Sequence, residues 1–202
     1  MHKKAKKIFG ECYEPELTHK YNYMFDTTTI NKLVERPQDI EILFEAGKRL
    51  GYEYFRCRIQ DDEICGLKSD GTCHKRYTGQ ELKIRKMHEV IDRLSIQKVP
   101  CLAKFVERGI ALSDINYLKD SSGKFYDVFS KVFDEKVDNL EDAIIVEAGM
   151  RYNCVVVSND RRMCENTRKV FPDKAIWYHK FIEETKNNLN SRKGKKTSEK
   201  SF

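Results

Sequence analysis

Two hydrophobic periods alternate along the chain. Tyr21-Asn22-Tyr23-Met24-Phe25 is a short aromatic run with the character of a strand, and it ends at Asp26. From Thr27 to Glu35 the chain can start a helix, with Thr27 or Thr28 as its cap. Asp39 to Leu50 follows Pro37 and carries Ile40, Leu43, Phe44, Gly47 and Leu50 on one predicted helical face, with Gly51 as its stop. Tyr52 to Ile59 is aromatic-rich and reads as a strand. Gln80 to Leu94 has helical spacing in Leu82, Ile84, Met87, Val90, Ile91 and Leu94. Phe125 to Phe133 and Leu140 to Tyr152 are further helices. Cys154-Val155-Val156-Val157 is a continuous apolar run, the signature of a strand buried on both faces. Ala175 to Tyr178 is a last strand and His179 to Leu189 a last helix. Strands alternating with helices predict an α/β fold with a mainly parallel sheet. In such sheets ligands bind beyond the carboxyl ends of the strands, so residues just after each strand become the functional candidates.

The 202 residues suit one domain with extensions. The organisation expected is a basic N-terminal extension over 1–20, a folded domain over 21–185 and a disordered basic tail over 186–202. The formal net charge is +6, but four Lys lie in residues 1–7 and six Lys/Arg in residues 186–202. Without those two ends, 28 basic residues face 31 acidic ones, so the body carries −3. An acidic body with basic ends is a more specific statement than a basic protein. No apolar run approaches the roughly 20 residues of a membrane helix. The first residues have Lys but neither the apolar core nor the cleavage site of a secretory signal. Seven scattered cysteines are therefore expected as reduced thiols in a cytoplasmic protein.

Acids recur at the predicted functional edge. Asp26 follows the first strand, Asp61-Asp62-Glu63 follow the second, and Asp160 follows Val157-Ser158-Asn159. Glu141-Asp142 open the helix before that last strand. Any one of these can be a helix cap, favoured by the macrodipole. Several carboxylates on one edge repel each other unless a divalent cation joins them, and all-oxygen ligation suits Mg²⁺ or Mn²⁺. Spacing alone leaves both readings open.

The local sequences carry a resemblance. Tyr23-Met24-Phe25-Asp26-Thr27-Thr28 resembles the opening strand of PIN-domain nucleases. Leu140-Glu141-Asp142-Ala143-Ile144 is similar to that family's third acidic helix, and Cys154 to Met163 to the strand and acid that follow. The resemblance spans about residues 21–180 and includes the toxins of the VapC type. It implies a three-layer α/β/α sandwich with a central mainly parallel sheet. It also implies Mg²⁺- or Mn²⁺-dependent hydrolysis of RNA phosphodiester bonds by Asp26, Glu63, Asp142 and Asp160. Asp62 and Asp61 compete with Glu63 for the second position. Thr28 stands where the family has Asn or Ser. Ser158 is implied as a support for Asp160 or a water.

For the RNA backbone the candidates are Lys75, Arg76, Arg161 and Arg162, with Arg56, Arg58 and the basic ends beside them. Tyr21, Tyr23, Tyr52, Tyr54 and Phe55 could stack on bases, although strand aromatics are more often core. Implied partners are RNA, an antitoxin protein and a second copy of the chain, with no membrane. Two rival readings remain: a PIN-fold binding module without strong catalysis, and an α/β phosphatase of the haloacid-dehalogenase kind. In the phosphatase reading, Thr28 occupies the position of a required second Asp.

Overall fold

A computed structural model describes residues 21–60, 64, 79–99, 105–106, 109–110, 124–136 and 139–198. In chain order the elements are β1 (Asn22–Phe25), α1 (Thr27–Glu35), α2 (Pro37–Leu50), β2 (Glu53–Cys57), a 3-10 turn (Arg58–Gln60) and α3 (Glu81–Arg93). They continue with β3 (Gln97–Val99), β4 (Phe105–Val106), β5 (Gly109–Ile110), α4 (Lys124–Phe133) and α5 (Leu140–Arg151). The chain then forms β6 (Val155–Ser158), α6 (Arg161–Val170), β7 (Ala175–Trp177) and α7 (Tyr178–Ser198).

Five strands form one parallel sheet in the order β3-β2-β1-β6-β7, while β4 and β5 form a separate antiparallel pair. Tyr23 registers with Tyr54 on one side and Val155 on the other. Strand pleating sends neighbouring side chains to opposite faces, and the burial follows it. Met24, Phe55 and Val156 enter a core with α4, α5 and α6. Phe25, Tyr54 and Val157 enter a second core with α1, α2, α3 and α7. Helices therefore cover both faces, and the architecture is the expected α/β/α sandwich.

The order of the strands locates the functional edge. From β1 the chain moves outward to β2 and β3 through helices on one face. It then crosses to β6 and β7 through helices on the other. The connections leave β1 and β6 in opposite directions, so a crevice opens between the carboxyl ends of these two strands. The last residues there are Phe25-Asp26 and Ser158-Asn159.

α5 is buried on nearly all sides, from Leu140 and Ala143 through Gly149, as an apolar helix in a sandwich must be. Its approach to the sheet depends on Gly149: a Cβ there would lie 2.6 Å from Val156 Cγ2. Gly51 ends α2 in the left-handed conformation with φ 72°, as its position predicts.

Several sequence expectations change. β3 has an exposed Gln97 and Lys98 and only Val99 buried, so it lacks an apolar signal. Such polar side chains are the usual protection of a sheet edge. Leu82 is 65 % exposed and lies off the buried stripe of α3, which is Met87, Val90 and Ile91. On α2 the buried positions are Leu43, Ala46 and Leu50 with Asp39, whereas Phe44 lies half-buried under the cations of Lys48 and Arg93. The tail expected to be disordered from 186 is helical to Ser198. Its first turns are docked: Thr185 and Leu189 are buried and Asn188 Nδ2 donates to Tyr52 Oη at 2.9 Å. One leucine in a polar stretch is a weak sequence signal, but it suffices to extend a helix already nucleated by Phe181 and Ile182.

The strand aromatics are core. Tyr52, Tyr54 and Phe55 are buried, and Tyr23 packs against Tyr52 and Phe181 at ring distances of 4.8 and 4.6 Å. The region 66–78 lies outside the described residues.

Candidate functional site

Asp26 sits where β1 becomes α1. Its N–H donates to Val157 O at 3.1 Å, which extends the parallel ladder by one residue. Its carbonyl accepts from Thr29 and Ile30 N–H and starts the helix. Asp26 thus occupies the N-cap position with extended backbone, yet its side chain makes no capping bond. The carboxylate turns to the crevice instead. Asp26 Oδ2 accepts from Ser158 Oγ at 2.8 Å and from Thr28 Oγ1 at 2.5 Å. Asp26 is 4 % exposed. A buried carboxylate must be hydrogen-bonded or paired, and two hydroxyl donors meet part of that need.

Ser158 and Thr28 tie this carboxylate to the end of β6. Ser158 Oγ accepts from Asp160 N–H at 2.9 Å while donating to Asp26. Thr28 Oγ1 accepts from Asn159 N–H at 3.1 Å. Ser158 therefore orients the Asp26 carboxylate and the Asp160 backbone. Beneath them, the buried Gln60 accepts from Cys57 N–H and donates to Phe25 O at 2.9 Å, joining the ends of β2 and β1.

Asp142 reaches the same crevice from the opposite layer. It lies in the first turn of α5, where a negative charge is favoured. A cavity of about 230 Å³ is lined by Asp26, Thr27, Thr28 and Asn31 from the β1–α1 side and by Glu141, Asp142 and Ile145 from α5. Its third wall is Gln80, Lys83, Ile84 and Met87, on or just before α3. The last four follow the i, i+3, i+4, i+7 pattern of one helical face. Of the polar cavity residues, Asn31, Gln80 and Lys83 are not among the candidates from sequence, whereas Glu141 stands there beside Asp142 among the acids of the functional edge. Gln80 and Lys83 share a stripe with Ile84 and Met87, a periodicity that puts the four on one helical face without marking that face as part of a site.

Asp160 has a different position. Its Oδ1 accepts from Met163 N–H at 3.1 Å, so it caps α6, and it does not line the cavity. Burial pushes the nearby Cys164 thiol up to about 11, with the charges of Asp26 and Asp160 adding to the rise. Arg161 pairs with Glu165 at 2.8 Å and Arg162 is exposed, and neither lines the cavity. Arg56 is half-buried and Arg58 exposed. Asp61, Asp62, Glu63, Lys75 and Arg76 lie outside the described residues.

Among the described residues, no three His, Cys, Asp or Glu side chains come close enough to hold a metal ion. The described set brings Asp26 and Asp142 to one cavity, with Glu141 beside them. Their donors are carboxylate oxygens, the chemistry that suits Mg²⁺ or Mn²⁺.

No protein-family model matches the chain, and no curated protein matches it in sequence. Among the described residues no helix is long and apolar enough to cross a membrane.

Proposed function

We propose that the protein is a metal-dependent endoribonuclease of the PIN type. The observation that carries this reading is the meeting of Asp26 and Asp142. They come from opposite helical layers, 116 residues apart in sequence, and line one cavity at the crossover point of the sheet. The behaviour of Asp26 supports it. An N-cap aspartate that leaves its helix uncapped and is held by two hydroxyls is oriented toward the cavity at some cost in helix stability.

Asp26 and Asp142 would hold Mg²⁺ or Mn²⁺, with Glu63 as the expected further acid. The bound ion would polarise the phosphate and lower the pKa of a water. The chain's own residues orient and position. Ser158 and Thr28 fix the Asp26 carboxylate, as partners of metal-binding carboxylates do. Asp160 contributes negative charge beside Ser158 while capping α6. Ile84, Met87 and Ile145 give the cavity apolar walls that limit water.

In this reading RNA is the substrate, an antitoxin protein and a second copy of the chain are its protein partners, and the cytoplasm is its setting. Purified protein should cleave RNA with Mg²⁺ or Mn²⁺, stop in EDTA, and lose cleavage with Asp142→Asn. Equal cleavage in EDTA or by that variant would refute it. RNA binding without cleavage across several substrates would favour the binding-module reading.

A further inference from the structure

We propose that Lys83 is the cation that holds the RNA phosphate in this cavity, with Gln80 as its hydrogen-bonding neighbour. The proposal rests on the nuclease reading for the identity of the ligand, but not for its test.

The charge balance of the cavity motivates it. Among the described residues, the lining carries three carboxylates, Asp26, Glu141 and Asp142, and one basic side chain, Lys83. The formal charge of these described residues is −2, which repels a phosphodiester, and Glu63 would add to it. A divalent cation would offset the carboxylates, and Lys83, which also lies within electrostatic range of Glu35, would then be the described cation at the cavity wall that can attract the substrate. A lysine ammonium is a compact point charge with three donors on a flexible stem, well suited to a phosphate oxygen.

Placement on α3 separates Lys83 from its neighbours. Arg85 and Lys86 are exposed on the same helix but do not line the cavity. Lys83 lies one turn from Gln80 and from Met87, on the cavity-lining face of α3, in the layer of α1 and across from Glu141 and Asp142 on α5. Its stem lies along the same wall as Ile84 and Met87, which are half-buried and buried. The ammonium end remains accessible, since Lys83 as a whole is exposed. A substrate in the cavity would therefore meet both the metal-bearing carboxylates and Lys83. Arg161, paired with Glu165, and Arg162, by contrast, do not line the cavity.

The test uses the full chain and a labelled 12-nucleotide single-stranded RNA. Binding is followed by fluorescence anisotropy in Ca²⁺ over a salt series, cleavage in Mg²⁺, and Mn²⁺ affinity by electron paramagnetic resonance. Lys83→Met should weaken RNA binding about tenfold and lower the log–log salt slope by about one. KM should rise with it while Mn²⁺ affinity stays unchanged. Lys83→Arg should recover most of the affinity, and Lys86→Met should leave it unchanged. RNA affinity and salt slope unchanged in Lys83→Met would overturn the proposal. So would tighter Mn²⁺ binding with unaltered RNA affinity, which would make Lys83 a neutralising partner of the acids. Wild-type protein that binds RNA without cutting it would overturn the nuclease reading and leave the Lys83 assignment standing. Cleavage with Lys83→Met equal to wild type would do the reverse. Wild type that neither binds nor cuts would overturn both.

Discussion

Ser158 Oγ donates a hydrogen bond to Asp26 Oδ2 across 2.8 Å, joining the ends of two adjacent parallel strands whose residues are 132 positions apart. The same oxygen of Asp26 accepts from Thr28, so one carboxylate is held by a local and a distant hydroxyl. This arrangement gives Asp26 a fixed direction. If that direction serves metal binding, Ser158→Ala should reduce Mg²⁺-dependent cleavage by about 10- to 100-fold. Thr28→Val should act in the same sense. A Mg²⁺ titration of cleavage rate reads the effect, and circular dichroism melting should show that both variants remain folded.

Asp160 separates two roles that a carboxylate can play. It caps α6, and Asn caps nearly as well as Asp. Asp160→Asn should therefore keep stability within a few tenths of a kcal/mol, while Asp160→Ala should cost about 1 kcal/mol. Urea denaturation measures both. A cleavage loss in Asp160→Asn at unchanged stability would isolate the contribution of its charge.

Gly149 lets α5, and with it Asp142, approach β6. A methyl group there meets Val156 at 2.6 Å. Gly149→Ala should destabilise the fold by about 1–3 kcal/mol, because overpacking forces side chains or backbone to shift. The gain in helix propensity of Ala over Gly, about 1 kcal/mol, opposes this only in part. Urea denaturation of the variant would register the difference, and equal stability would mean that Val156 moves aside freely.

Much of this layout was readable from residue order. α1 runs over Thr27–Glu35 as predicted, although its N-cap is Asp26 rather than Thr27 or Thr28; α2, α4 and α5 differ by only a few end residues, and Gly51 stops α2. Those segments have strong periodicity and clear stop signals. β3 was not readable because a three-residue edge strand with exposed Gln97 and Lys98 carries almost no pattern. The extension of α7 beyond Leu189 was missed because docking through Leu189 and Asn188 depends on Tyr52, distant in sequence. At the site, Asp26 and Asp142 were legible from their places after a strand and at a helix start. Lys83 and Gln80 were not, because a polar residue beside an apolar helical stripe resembles any solvated neighbour until the facing wall is known.

Buried thiols make stability depend on alkaline pH. Burial pushes Cys154 up to about 12 and Cys164 up to about 11, from an ordinary value of 9.0. Unfolded chains release these protons near pH 9, whereas the folded protein retains them. Stability from the two thiols is therefore complete below pH 9 and falls as pH rises from there toward 11 and 12, by up to about 1.4 kcal/mol per pH unit for each thiol. The buried Tyr54 and Tyr178 phenols, also shifted upward, add to the loss above pH 10. Urea denaturation at pH 8, 9.5 and 10.5 should show the decline, and Cys164→Ala should make it shallower.

In the proposed function Asp26 and Asp142 act together on one divalent cation. Mn²⁺ binding measured by electron paramagnetic resonance tests it without requiring a known RNA target. The wild-type chain should bind Mn²⁺, Asp26→Asn and Asp142→Asn should each weaken that binding at least tenfold, and the double variant should be little worse than either single one. Mn²⁺ affinity unchanged in both single variants, or absent in the wild type, would contradict it.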